Sequence, residues 1–200
     1  ISAYPDNTEA IKSLAGIYLN LDMNDDALKE YELALSKSPN NFDDWENYAK
    51  VLLLTQNFSK VFDAVRHAIQ LEPENPQLYV ILATAYENTG ENEKAIDEYK
   101  TALKMDNSLT DLQFNIAKLY EKLGKDDDAI KAYEECLLSN PDNSEAYYNM
   151  SAIFQKKRDY NNSIATLNKL KDREKEDATV LKEIGKNYYM SGDFQQSINY

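Results

Sequence analysis

The residue types that could do chemistry in this chain recur at fixed intervals. Asn47, Asn115 and Asn149 lie 68 and then 34 positions apart, and Lys50, Lys118 and Lys186 are separated by 68 and again by 68. A carboxamide donates and accepts at once, so a row of them matches the backbone of an extended peptide without demanding a particular side chain. Lysines on the same period offer cations to acidic groups of a partner. Catalytic pairings are missing by comparison. His67, between Arg66 and Ala68, is the only histidine, and Cys136 is the only cysteine. One of each cannot assemble the usual zinc ligand set or an internal disulfide, and neither reads as half of a nucleophile and base pair. With five glycines in 200 residues there is neither a phosphate loop nor a dinucleotide fingerprint. The run Asp126-Asp127-Asp128 lacks the alternating ligands and central glycine of a calcium loop and reads as a helix start. The expectation is a protein that binds rather than catalyses, with no metal and no cofactor.

Charge narrows the partner. Twenty-two Lys and Arg against 35 Asp and Glu give a formal charge of −13, which repels phosphate backbones and anionic lipid. Two local basic patches, Lys156-Lys157-Arg158 and Lys169 to Lys175, are interrupted by acids or lack interleaved aromatics, so they read as solvated surface and not as a nucleic-acid site. The longest apolar run, Val51 to Leu54, is far short of the roughly 18 residues of a membrane span. The expected partner is a protein or peptide, without nucleic acid or membrane insertion. The expected setting is cytoplasmic.

The elements that position these residues come from a repeat. Pro5, Pro39 and Pro73 are 34 apart, and Pro141 follows after twice 34. Windows of 34 residues, 8–41, 42–75, 76–109, 110–143 and 144–177, are preceded by a tail at 1–7 and followed by a truncated unit at 178–200. Their seventh and eighth residues pair a large apolar side chain with a small one: Leu14-Ala15, Tyr48-Ala49, Leu82-Ala83, Ile116-Ala117, Met150-Ser151 and Ile184-Gly185. Later in the windows Ala27, Val61, Ala95, Ala129 and Ser163 recur, each followed four residues on by Tyr31, Val65, Tyr99, Tyr133 and Leu167. Spacings of three and four are helical, and small against large is how close-packed helices interdigitate. Gly90, Gly124 and Gly192 mark a turn inside three of the units, and Asn or Asp stands near the equivalent place in the first two. Ser-Pro-Asn, Glu-Pro-Glu and Asn-Pro-Asp mark the turn between units, with the residue after proline starting the next helix. Each unit is a helical hairpin in a single array over 1–200.

The pattern of aromatic, Leu, small, Tyr, Ala, aromatic, Ala, Pro over 34 residues resembles the tetratricopeptide repeat family. Trp45, Tyr79 and Tyr147 hold its first aromatic position, and Ala34, Ala68 and Ala102 its late small one. Gln113 and Leu181 depart at the aromatic, Asn107 and Lys175 at the proline, and Leu170 at the late alanine. The resemblance implies an all-α fold, a right-handed superhelical solenoid of antiparallel helix pairs. It also implies that a ligand lies on the inner, concave curve lined by first helices. The family's carboxylate-clamping adaptors place Lys and Asn four apart on one first helix and a basic pair on the third. Here Gly16 follows Lys12, and Gln77 and Ile81 stand at the third, so that ligand is not expected.

Helical geometry then names the inner face. Val80, Phe114 and Tyr148 form an apolar row with Leu54 and Ile81 beside it, Asn47, Asn115 and Asn149 a carboxamide row, and Lys50, Thr84 and Lys118 a third. The expected function is a scaffold holding an extended peptide or short helix. The alternatives are a substrate-recruiting arm of a larger enzyme such as a glycosyltransferase, or a self-assembly module. Pro5 in register and a last residue, Tyr200, within a second helix make the chain read as a segment of a longer array. Apolar residues near the ends, Ile184 and Tyr188 among them, are expected to drive end-to-end association. Light scattering at high concentration checks this: a mass above that of one chain is expected, and a strictly monomeric mass contradicts it.

Overall fold

Caps, left-handed turns and small side chains divide the chain into pairs of helices. The computed structural model describes residues 7–173 and 177–200, so the register of Pro5 and Lys175 lies outside the described residues. The helices run α1 (Thr8–Asn20), α2 (Asn24–Lys37), α3 (Phe42–Leu54), α4 (Phe58–Leu71), α5 (Pro76–Thr89) and α6 (Asn92–Met105). They continue with α7 (Leu112–Lys122), α8 (Asp126–Ser139), α9 (Ser144–Lys156), α10 (Tyr160–Arg173), α11 (Ala178–Ser191) and the short α12 (Phe194–Ser197). Among the described residues there is no strand. The chain forms two compact units, residues 1–109 and 110–200. Within each, every helix packs on the one before it and the one after it.

Side-chain caps start most of the odd-numbered helices. Asn7 Oδ1 accepts from the Ala10 N–H at 3.2 Å, Asn41 from Asp44 at 3.0 Å, Asn75 from Gln77 at 3.0 Å and Asn143 from Ala146 at 3.0 Å. Asp177 does the same for Thr179 at 2.7 Å. These contacts correct the reading that the residue directly after proline starts the helix: the cap is the second residue after Pro39, Pro73 and Pro141, because only there does the side chain face the free first-turn N–H groups. Where the cap position holds Leu109, α7 begins later and is shortened to 11 residues, with no side-chain bond from Asp111. The unit boundary falls at the same place.

Inside each hairpin the turn residue is left-handed. Asp22, Gln56 and Arg158 have φ of 56°, 58° and 59°, and Gly90, Gly124 and Gly192 have 82°, 70° and 88°. Glycine takes this conformation without steric penalty, whereas Gln and Arg are held in it by the helices on either side. At the turns between hairpins an aromatic side chain ties down the proline carbonyl. Trp45 Nε1 donates to Pro39 O at 2.7 Å, and Tyr79 Oη to Pro73 O at 3.0 Å.

The core follows the small-residue pattern. Ala15, Ala27, Ala49, Val61, Ala83, Ala95, Ala117 and Ala129 are all fully buried. The fifth hairpin replaces the alanine pair with two serines, and their hydroxyls bond each other at 2.7 Å. In the last hairpin Gly185 admits the closest approach: a Cβ added there would stand 3.2 Å from Tyr200 Cβ. Ile184 is buried and Tyr188 is half-buried, stacked on Tyr200 at 5.7 Å. Those two are therefore not the exposed apolar residues near the end: Ile184 lies in the core with Leu167, Leu170 and Val180, and Tyr188 packs against it. Tyr189, Met190, Phe194 and Ile198 are exposed instead.

The serine pair gives a direct energetic test. Ser151→Ala alone leaves a buried hydroxyl without its partner and should lower stability by about 1–2 kcal/mol in urea unfolding. Ser151→Ala with Ser163→Ala should return to within roughly 0.5 kcal/mol of the parent, since an alanine pair already fills this contact elsewhere. Equal losses in the single and double variants would show that the hydroxyls are not paired.

Candidate functional site

In unit 1 the residues read as inner face meet three different fates. Leu54 is 65% exposed at the end of α3, while Asn47 and Lys50 are partly covered, Lys50 pairing one turn back with Glu46 at 3.0 Å. Thr84 donates to the Val80 carbonyl at 2.9 Å and stands 3.3 Å from the Tyr99 hydroxyl, so Val80 and Thr84 form one half-buried patch on α5. Ile81 must be corrected. It is 3% exposed and belongs to the core with Leu78 and Ala85, because the α5 stripe is wide enough to bury its sixth position against the neighbouring helices.

A further cation of this face is drawn inward. Lys12 Nζ reaches Asp44 at 3.1 Å, and that carboxylate keeps 2% of its side chain exposed, with Oδ2 lacking a hydrogen-bond partner. Burial raises the Asp44 pKa above the usual carboxylate value, outweighing the downward pull of Lys12.

Unit 2 brings its residues together. Phe114, Asn115 and Lys118 lie on α7, and Tyr148 and Asn149 on α9. The Lys118 ammonium sits 5.4 Å from the centroid of the Phe114 ring and 3.7 Å from Glu145, while the Phe114 ring tilts against Tyr133 at 5.8 Å. Between α7 and α9 opens a cleft of about 360 Å³ lined by Lys118, Glu121, Lys122, Glu145 and Asn149. Beneath it Tyr133 of α8 donates to Glu121 Oε2 at 3.0 Å, and Asn149 Nδ2 donates to Tyr133 Oη at 3.1 Å. Burial first, and the Glu121 carboxylate second, push the Tyr133 phenol well above its ordinary pKa. Tyr148 is placed differently: its ring packs against the α10–α11 core and its hydroxyl reaches Asp177 Oδ2 at 3.4 Å. It joins hairpins, whereas Phe114 lies beside Lys118 of the cleft lining.

Sequence reading missed Tyr133. The available signal was a phenol at a packed position filled by Val65 and Leu167 in other hairpins; a buried tyrosine hydroxyl needs a partner. The basic patch Lys156-Lys157-Arg158 is exposed, and within it Lys156 pairs with Asp126 at 2.8 Å and Lys157 with Asp127, surface ion pairs that join the end of α9 to the start of α8. His67 is exposed and stacked on Trp45 at 4.5 Å. Cys136 is buried, with burial raising its thiol pKa. Among the described residues no group of three or more His, Cys, Asp or Glu is arranged to hold a metal, and no helix is long and apolar enough to cross a membrane.

Repeated hairpins, small-residue contacts and capped turns of this kind define a helical-repeat protein. Residues 110–143 and 144–177 match the family model described as tetratricopeptide repeat, and residues 88–124 match the one described as TPR repeat. Residues 88–177 thus carry tetratricopeptide repeats. Its fold is similar to the crystal structure of MamA, with 20% identity and a TM-score of 0.77 over 86% of this chain and 94% of that one. A tetratricopeptide repeat protein from Parabacteroides merdae aligns at 17% identity and a TM-score of 0.74, covering 96% of this chain and 76% of that one. YrrB, described as a TPR protein with an unusual peptide-binding site, aligns at 17% identity and a TM-score of 0.71, covering 90% and 93%. At these identities the likeness establishes the fold. No curated protein sequence matches the chain.

The buried carboxylate sets a pH dependence. Because the folded-state pKa of Asp44 is raised, its contribution to stability should increase as pH falls from neutrality through that value. Urea midpoints of the parent and Asp44→Asn at pH 7 and pH 5 check this. The difference between the two proteins should shift in favour of the parent at the lower pH, and a shift the other way contradicts the assignment.

Proposed function

We propose that the chain is a binding scaffold whose first-helix faces hold an extended segment or short helix of a partner protein. The observation that carries this reading is the α7–α9 cleft, where ammonium, carboxylate and carboxamide groups line one opening beside a half-buried aromatic ring. An extended backbone presents alternating N–H and C=O groups, and such a mixed lining answers both. Phe114 supplies the apolar contact, Asn115 and Asn149 the backbone contacts, and Lys118 the preference for acidic partner groups. In unit 1 the corresponding surface comprises Asn47, Lys50, Leu54, Val80 and Thr84. The peptide-binding site in the description of YrrB supports a peptide as the ligand class.

The test begins with a phage-displayed random dodecapeptide library selected on the immobilised chain. Fluorescence anisotropy then compares the parent with Phe114→Ala, Lys118→Ala. Loss of one aromatic anchor and one charge should weaken selected peptides at least about tenfold, with helical circular dichroism unchanged. Peptides that bind both proteins equally would place the site elsewhere.

A further inference from the structure

The hydrogen bonds beneath the α7–α9 cleft have a direction, and the direction follows from counting protons. A carboxylate carries lone pairs only, so the proton in the 3.0 Å contact between Tyr133 and Glu121 is the phenol's. A hydroxyl has one proton. Having given it to Glu121, Tyr133 Oη can only accept, so the 3.1 Å contact with Asn149 is made by the Nδ2–H. The amide of Asn149 is thereby fixed with its NH2 end turned to Tyr133 and its carbonyl oxygen at the opposite end. Tyr133 itself has no exposed surface. It cannot touch a ligand and reaches the cleft through the side chains it bonds, Asn149 and Glu121.

We infer that Tyr133 is a positioning residue which, with Glu121, locks Asn149 as a hydrogen-bond acceptor, so that the partner segment presents a main-chain N–H to Asn149 Oδ1. This rests on the peptide-binding reading above and adds a polarity to it. A free carboxamide can rotate to offer either end, so it reads nothing about the group opposite. A locked one accepts an N–H and rejects a carbonyl. Lys118 and Lys122 line the same cleft and supply the complementary donors, so that the segment's carbonyl or carboxylate groups lie on the α7 side and the N–H on the α9 side. Burial and Glu121 keep the Tyr133 phenol protonated well into the alkaline range, which preserves the lock at working pH.

The test uses a dodecapeptide selected on the parent chain and a set of the same peptide N-methylated at one backbone nitrogen at a time. One N-methylation should weaken binding to the parent about tenfold and have no effect on Asn149→Leu. Tyr133→Phe, which keeps the ring and its packing, should bind the unmodified peptide roughly threefold to tenfold more weakly and lose much of that N-methyl sensitivity. In the Asn149→Leu background Tyr133→Phe should change nothing further, because its effect passes through the amide. Glu121→Gln, whose amide can donate and so free the Tyr133 proton, should relax the N-methyl sensitivity in the same way without disturbing the buried ring. Equal losses from Tyr133→Phe with Asn and with Leu at position 149 would make Tyr133 merely structural and overturn the inference. Unchanged N-methyl sensitivity in both Tyr133→Phe and Glu121→Gln would overturn it as well. If Asn149→Leu binds like the parent while Phe114→Ala, Lys118→Ala does not, the inference fails and the peptide-binding reading stands. If no peptide depends on any of these residues, both fail.

Discussion

Two small side chains facing each other inside a hairpin set the helix spacing on which the rest of this protein depends. Alanine opposite alanine lets two helices approach to the short end of the usual 8–10 Å range, and the fully buried Ala15, Ala27, Ala83, Ala95, Ala117 and Ala129 mark that contact through the chain. The consequence lies one turn further along the second helix. The buried tyrosines Tyr99 and Tyr133 are long enough, at this spacing, for their hydroxyls to reach side chains of the first-helix face: Thr84 in one unit, Asn149 in the other. A packing contact thus becomes a means of orienting surface groups from behind. The Ser151–Ser163 pair keeps the same spacing by a different chemistry, exchanging two methyl groups for a reciprocal hydrogen bond.

Charges on the first helices do not share one environment. Lys12 is drawn inward to a buried carboxylate, Lys50 pairs with Glu46 on its own helix, and Lys118 rests beside an aromatic ring and Glu145. Only the last arrangement brings a cation into a cleft with other polar groups. The difference follows from neighbours: Asp44 stands on the following first helix where Lys12 can reach it, and Phe114 lies one turn before Lys118. A repeat therefore fixes where side chains start, and local partners decide what they can offer to a ligand.

Much of the fold was legible in the sequence because helix pairing depends on short-range features. Proline spacing, the paired large and small residues and the turn glycines are each read within a few positions of one another, and they led to an all-α fold of antiparallel helix pairs. What failed depends on distance in three dimensions. Helix angle alone places Ile81 on the surface, but the width of the buried stripe is set by neighbouring helices. Tyr148 is half-buried, and its hydroxyl meets Asp177, 29 residues on, a contact that no local pattern shows. Tyr133 reads as packing in the sequence because its hydroxyl partners lie on α7 and α9, 12 and 16 residues away. Asn187 shows the same limit in the core, a buried carboxamide whose Oδ1 has no hydrogen-bond partner, at a position held elsewhere by Val51, Ala85, Leu119 and Ile153.

The central claim is that the first-helix faces, and the α7–α9 cleft above all, are the working surface. The most direct measurement is photocrosslinking of a selected peptide carrying a benzophenone at its centre, with the attachment sites read by mass spectrometry. The account predicts adducts on α7 and α9, near Lys118, Lys122 and Glu145. Adducts confined to α8 and α10 would contradict it and assign the work to the second-helix face.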